Sequence, residues 1–273
     1  MSLQSTFGGK VSLITGGSSG IGLALAKRIA ELGGDLVLVA RREGPLAEAA
    51  ASVRKCNGKV KVETLALDVA DEEAVTRQLG ALAERLPLQH VFNNAGVVMP
   101  GRFLELDAKH FRDMMRVNYE GAVHVCRATL PGMVARRSGH LLNVSSMAGL
   151  IGIYGYTAYA ASKFALAGFS QALRAELWPH GVRVHVCYPP DTDTPQLAFE
   201  NQHKPAETKA IAGNVKMLRA EDVAESILKG MDAGTFEIVP GLDGKVSALA
   251  QRIAPGLVRW VCDLSQKKAA AAS

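Results

Sequence analysis

Val11-Ser12-Leu13-Ile14-Thr15-Gly16-Gly17-Ser18-Ser19-Gly20-Ile21-Gly22 joins a short apolar run to a glycine-rich turn and then to a helix-period stretch over residues 21–32. Glycines at such a junction let the backbone approach a pyrophosphate closely, and the following helix presents N–H groups and a positive dipole end to it. The spacing is G-x-x-x-G-x-G rather than the G-x-G-x-x-G of the standard dinucleotide fingerprint. An ordinary glycine turn therefore competes as a reading of the motif alone. Its place between the first strand and the first helix favours the cofactor reading, with Gly16, Ser18, Ser19, Gly20, Ile21 and Gly22 as candidate binding residues.

Outward from this unit, strand-like and helix-like segments alternate. Strands are expected at residues 11–15, 36–40, 62–69, 91–93, 141–145, 182–188 and 236–239. Helices are expected at 21–32, 46–55, 72–86, 107–136, 158–178 and 221–233. The strands are continuous apolar runs, the mark of a parallel sheet buried on both faces. Right-handed β-α-β crossovers then give a doubly wound α/β sheet, read as one domain over residues 1–273. Residues 191–219 show no strand pattern, are rich in polar residues and contain Pro195 and Pro205. A connection of that length is expected to be a lid or substrate loop. The tail at 242–273 reads as one helix with an Ala-rich end.

Composition narrows the function. The 273 residues are 48% hydrophobic and 21% charged, with a net charge of +5, which describes a packed globular chain. No basic stripe or aromatic-interleaved Lys/Arg cluster points to nucleic acid. Cys56, Cys126, Cys187 and Cys262 form no C-x-x-C pair, and the seven histidines show no ligand spacing, so neither a metal nor a disulfide framework is expected. Residues 1–10 lack the apolar core of a signal peptide, and no run approaches the roughly 20 apolar residues of a membrane span. A cytoplasmic location is expected.

The second strand ends at Ala40, where an NAD enzyme would place an acid for the ribose 2′-hydroxyl. Arg41 and Arg42 follow instead. Their planar donors suit a 2′-phosphate, so NADPH is expected, unless the arginines merely open a solvated helix. Asp68 and Val69 end the third strand, where the carboxylate either receives the adenine amino group or caps the turn at residues 71–73. Asn93-Asn94-Ala95-Gly96 ends the fourth, so Asn93, Ala95 and Gly96 should line the crevice at the carboxyl ends of the strands, although either Asn also suits a turn.

Tyr159 and Lys163 stand four residues apart on an expected helix and share a face. A phenol has an ordinary pKa of about 10. A neighbouring ammonium, helped by a nicotinamide carrying positive charge when oxidised, favours phenolate and should lower that value, fitting the pair to exchange a proton with a carbonyl oxygen. Ser146, just beyond a strand, is placed to donate to the same oxygen, with Ser145 as the competing candidate. Asn118 sits mid-helix, where asparagine is disfavoured, and would anchor a water to Lys163.

Taken together in this order, Thr15 to Gly22, Asn93 to Gly96, Asn118, Ser146 and Tyr159-x-x-x-Lys163 resemble the short-chain dehydrogenase/reductase family over nearly the whole chain. The resemblance implies a seven-stranded Rossmann sheet of order 3-2-1-4-5-6-7, no metal, and a homodimer or homotetramer. Leu166, Phe169 and Leu173 on the tyrosine helix would serve either a partner contact or the internal core.

Further on, Tyr188-Pro189-Pro190-Asp191-Thr192-Asp193-Thr194-Pro195, then Glu200-Asn201 and Lys204-Pro205-Ala206-Glu207-Thr208, resemble the 3-ketodihydrosphingosine reductase subgroup. Pro189-Pro190 replaces the Pro-Gly of most family members. The resemblance implies NADPH-dependent reduction of the 3-keto group of a long-chain keto lipid in sphingolipid synthesis, with Pro189, Thr192 and Thr194 at the cofactor. Val97, Val98, Met99, Leu150, Ile151 and Tyr154 would supply an apolar groove or plain core, and Asp191 or Glu200 would meet the substrate amine. Another lipid, steroid or small ketone is the alternative substrate, and a non-catalytic NADPH-binding regulator the alternative role. Eukaryotic members of the subgroup carry hydrophobic C-terminal segments. Here residues 246–264 are interrupted by Gln251, Arg252, Pro255, Arg259 and Asp263, so peripheral membrane association or cover for the sheet edge is expected instead of a span.

Overall fold

Alternate residues of each central strand enter two different cores. A computed structural model describes residues 2–212 and 217–272 of the chain. In β1 (Val11–Thr15), Leu13 packs into one core and Ile14 into the other. In β2 (Asp35–Ala40), Leu36 and Leu38 face one side while Val37 and Val39 face the opposite side. This is the period-two consequence of a sheet with both faces covered. The remaining strands are β3 (Val62–Ala66), β4 (Leu88–Asn93), β5 (Gly139–Val144), β6 (Val182–Cys187) and β7 (Glu237–Ile238). All neighbours pair in parallel, in the spatial order 3-2-1-4-5-6-7. The expected doubly wound sheet is therefore the observed one.

Helices α1 (Leu3–Phe7), α2 (Gly20–Glu31), α3 (Glu43–Cys56) and, later in the chain, the helix Ala220–Asp232 cover one face. The helices α4 (Glu72–Arg85), α5 (Ala108–Met115), α6 (Gly121–Arg136) and α7 (Thr157–Leu177) follow in sequence. Of these, α4, α6 and α7 lie on the other face. On α7, Leu166 is buried, and Phe169 and Leu173 pack on this internal core.

Several boundaries depart from expectation. The third strand stops at Ala66, because Asp68 and Asp71 turn the chain into α4: Asp68 accepts from Ala70 N, and Asp71 caps the helix through Ala74 N. The long helix expected at 107–136 is broken by a π-helical turn at Arg116–Glu120. Residues 191–219 are not free of strand: Thr192–Asp193 and Leu218–Arg219 pair in parallel. Between them lie α8 (Pro195–His203), which Thr194 caps with Pro195 at its first position, and α9 (Ala206–Ala212). Residues 213–216 of that expected loop lie outside the described residues. After α10 (Ala220–Asp232), the tail forms two helices, α11 (Leu242–Ile253) and α12 (Pro255–Ala272), rather than one. Pro255 lacks an N–H and suits a first turn but not a helix interior.

Candidate active site

At the carboxyl ends of β1 to β4, a cleft of about 180 Å³ is lined by Gly16, Ser18 and Ser19 from the first turn and by Arg41 and Arg42 beyond β2. Asp68, Val69, Ala95 and Gly96 complete its wall beyond β3 and β4. Gly16 and Gly20 have φ of 66° and 53°, the left-handed region that favours glycine. A Cβ at Gly22 would stand 2.4 Å from the Gly16 carbonyl oxygen, and one at Gly20 would stand 3.0 Å from Thr194 Cγ2. The turn is thus packed as bare backbone. Ser19 occupies the N-cap of α2 without a side-chain capping bond, which leaves that helix end to a ligand. Asn94 secures the turn from β4: its Nδ2 donates to Thr15 O (3.1 Å) and Gly16 O (3.3 Å), while Thr15 Oγ1 accepts from Asn94 N and Ala95 N at 3.0 Å each. A bare-backbone cradle at a helix N-terminus, with Arg41 and Arg42 on its wall, fits the phosphates of a dinucleotide.

Some sequence-selected residues sit elsewhere. The Asn93 side chain turns away from the cleft into a buried polar row, donating to Asn143 Oδ1 at 2.9 Å, and Asn143 donates to Ser170 Oγ at 2.8 Å. The reason is register, since side chains alternate across a strand and Asn94 takes the cleft-side role. Ile21 packs partly against the core beside α2. Pro189 is buried and its carbonyl accepts from Met147 N. Both threonine hydroxyls are spent on backbone, Thr192 on Pro190 O (2.8 Å) and Thr194 on Thr192 O (3.1 Å), so only the methyl face of Thr194 meets the glycine turn. Of the expected groove residues, Val97, Val98 and Met99 line a second cavity of about 320 Å³ with Met114 and other residues of α5. Leu150 packs on a small core instead, and the Tyr154 hydroxyl binds Glu207 at 3.2 Å.

Four further residues converge from β5, α7 and the π-helical turn. Tyr159 and Lys163 are both buried on α7. Lys163 Nζ donates to Val144 O at 2.9 Å and lies 5.6 Å from the Tyr159 ring centroid. Ser146 neighbours the Tyr159 phenol, and its Oγ accepts from Ala148 N at 3.1 Å. Ser145 points the other way, donating to Lys163 O at 3.0 Å, which resolves the choice between the two serines. Asn118, in the π-helical turn, accepts from Val97 N (2.8 Å) and donates to Val97 O and Ser162 Oγ (2.9 Å each). A Cβ at Gly96 would lie 3.3 Å from Asn118 Oδ1 and 3.5 Å from Lys163 Nζ, so the cofactor cleft abuts this group.

Residues 10–205 match the sequence model of short chain dehydrogenases. The chain belongs to the short-chain dehydrogenase family. The 3-dehydrosphinganine reductase of Danio rerio is 42% identical over 248 residues, covering 89% of this chain and 75% of that protein. Among solved structures, a short-chain dehydrogenase from Sphingobium yanoikuyae in complex with NADPH is 27% identical, with a TM-score of 0.78 over 92% of this chain and 94% of that one. One from Burkholderia phymatum in complex with NAD is also 27% identical, with a TM-score of 0.81 over 92% and 96%.

In this short-chain dehydrogenase the electrostatics of the tyrosine differ from expectation. Burial pushes the Tyr159 phenol up, Glu200 pushes it the same way, and the neighbouring Ser146 and Gln196 side chains pull against them. Burial pushes Lys163 down to about 8, with Glu200 opposing. The lysine does not draw the phenol toward phenolate, because its ammonium is turned to the Val144 carbonyl and lies beside the ring instead of the hydroxyl. A phenol held protonated is an acid, the form that reduction of a carbonyl requires. Sequence reasoning named Glu200 beside Asp191 as an acid for a substrate amine but missed its surroundings: buried on α8, it accepts from Tyr156 OH at 2.7 Å. The signal was available in two spacings: Tyr156 and Tyr159 at i, i+3, and Gln196 and Glu200 at i, i+4 behind a Thr-Pro helix start.

Proposed function

We propose that this chain is an NADPH-dependent reductase that converts the ketone of a long-chain keto lipid, 3-ketodihydrosphingosine above others, to a secondary alcohol. The observation that carries the substrate is the 42% identity to a 3-dehydrosphinganine reductase across 89% of the chain. Arg41 and Arg42, which line the cleft where an NAD enzyme would place an acid, carry the choice of NADPH.

When bound, the nicotinamide supplies a hydride to the carbonyl carbon. Tyr159 delivers its phenolic proton to the carbonyl oxygen, and Ser146, whose Oγ accepts from Ala148 N, keeps its own O–H to donate to that oxygen. Lys163, whose ammonium donates to Val144 O and stands beside the Tyr159 ring, holds the tyrosine helix against β5 next to the cofactor cleft. Asn118 holds the Val97 backbone and Ser162, fixing the floor between cofactor cleft and tyrosine. Gly16, Gly20 and Gly22 would give room for the pyrophosphate, with Ser18, Ser19 and Ile21 at the α2 N-terminus, and Asp68, Val69, Ala95 and Gly96, which line the cleft, would hold the rest of the dinucleotide.

Among the described residues no helix is long and apolar enough to cross a membrane. Leu242, Val246, Leu249 and Ile253 on α11, with Leu257, Trp260 and Val261 on α12, are nevertheless exposed. That apolar surface supports peripheral contact with a lipid surface, where a keto lipid would be presented. The same reading has a homodimer or homotetramer working in the cytoplasm, with the segment over 191–219 covering the lipid.

The test is NADPH oxidation by purified protein with 3-ketodihydrosphingosine in detergent, beside NADH and a panel of simpler ketones. Turnover specific to the sphingoid ketone and NADPH is expected. Replacing Arg41 and Arg42 together by Ala should narrow the NADPH over NADH preference by roughly tenfold or more. Activity on another ketone alone would keep the chemistry and discard the substrate. Cofactor binding with no turnover of any ketone would leave a regulator.

A further inference from the structure

We infer that Glu200 receives the ammonium group of an amino-ketone substrate, forming a cation-recognition site beside the reacting carbonyl. The inference rests on the reductase reading above and deepens it, since it says which feature of the substrate the site selects.

The first argument is the charge balance of the pocket. Glu200 is 8% exposed, yet its hydrogen-bonding partners are neutral: Oε2 accepts from Tyr156 OH at 2.7 Å and Oε1 from Gln196 Nε2 at 3.3 Å. The nearby cation Lys204 is committed to Asp191 at 3.2 Å, and among the described residues no Lys, Arg or His nitrogen lies within 4.0 Å of the Glu200 carboxylate. A buried carboxylate without a cation is costly, and an ammonium brought by a ligand removes that cost. Burial accordingly holds the Glu200 carboxyl above its ordinary range in the free protein.

The second argument is place. Gln196 donates to Glu200 at 3.3 Å and neighbours the Tyr159 phenol, and the Tyr156 and Tyr159 rings are 5.7 Å apart. The carboxylate therefore stands one side chain away from the hydroxyl that meets the carbonyl oxygen. An amine on the carbon next to that carbonyl projects into the same region. A ketone lacking the amine would leave Glu200 buried and unpaired, which is how a polar site rejects an analogue.

A different role would make Glu200 a positioning residue that keeps Tyr159 protonated. The two are separated by selectivity, because an effect on the phenol acts on every ketone alike. Glu200→Gln retains the shape and an acceptor for Tyr156. Its kcat/KM would be measured on 3-ketodihydrosphingosine and on the same long-chain hydroxyketone without the 2-amino group. The expected result is a fall of roughly tenfold or more in the ratio of amino to deamino ketone, carried by KM. An unchanged ratio, whether both substrates decline together or neither does, overturns the inference while leaving the reductase reading intact. No turnover of either ketone by the wild type removes both. NADPH binding followed by cofactor fluorescence, together with Glu200→Asp, which restores the charge, keeps a folding defect from passing as support.

Discussion

Tyr159 combines two properties that ordinarily oppose one another: it is buried, and it is asked to part with a proton. Burial and the Glu200 charge hold the proton on the phenol, so at neutral pH the side chain waits in its acid form. Transfer becomes favourable only as a hydride turns the carbonyl oxygen into a strong base, with Ser146 placed to donate to that oxygen as the charge forms. Tyr159→Phe removes the O–H while keeping the ring that packs against Val98 and Met114. We expect turnover to fall by about 10²- to 10⁴-fold with NADPH still bound, as read by steady-state ketone reduction and cofactor fluorescence on the same preparation. Retained turnover in this variant would assign the proton to another group.

Between strand and helix, the glycine turn converts sequence into a binding surface through close packing. Gly22→Ala would bring a methyl to 2.4 Å from the Gly16 carbonyl oxygen and 2.6 Å from Asn94 Nδ2. Backbone has to move, and the Asn94 bonds that secure the turn are disturbed with it. The expected loss is about 1–3 kcal/mol of stability, seen as a melting temperature lowered by several degrees, and a weaker Kd for NADPH. An unchanged melt would show that the turn yields freely. The same element explains what could be read from sequence. The β1–turn–α2 unit and most of the sheet were legible because their pattern is local: an apolar run, a glycine turn, a helical period. The start of β4 was hidden by Gln89 and His90, whose polar side chains are accommodated by contacts from other strands. The π-helical turn at Arg116–Glu120 has no periodic signature and is visible only through Asn118 meeting the Val97 backbone. Tyr159, Lys163 and Ser146 were found by spacing, whereas the Glu200 relay is tertiary: α8 has to fold back on Tyr156 before it exists.

Across the whole molecule, the sheet carries a row of buried histidines that the site does not use. His90 on β4 pairs in register with His140 on β5, and His140 stacks on His185 of β6 with ring centroids 5.3 Å apart. Hydrogen bonds hold both ends of the row: Ser12 Oγ lies 3.1 Å from His90 Nδ1, His140 Nδ1 lies 3.0 Å from His185 Nε2, and His185 Nδ1 lies 2.7 Å from Thr235 O, while His90 and His140 meet ring to ring with centroids 5.6 Å apart. Burial pushes His140 and His185 each down to about 4, and moves His90 in the same direction. The rings are therefore neutral in the folded state at pH values where an unfolded chain, with histidine at about 6.5, has already bound protons. Between about pH 6.5 and 4 the unfolded state holds more protons, so stability is complete above that window and declines as pH falls through it. The size is on the order of 2 kcal/mol by pH 4.5 for each of His140 and His185. Glu200, whose carboxyl is held above its ordinary range, works in the opposite sense and offsets part of the decline. Melting temperature measured from pH 7.5 to 4.5 should fall, and His140→Asn should flatten the slope by removing one of the stacked pair. A flat profile in the wild type would mean that the row accepts protons without unfolding. The steep one would mean that the sheet comes apart in acid before Tyr159 or Lys163 has changed its charge.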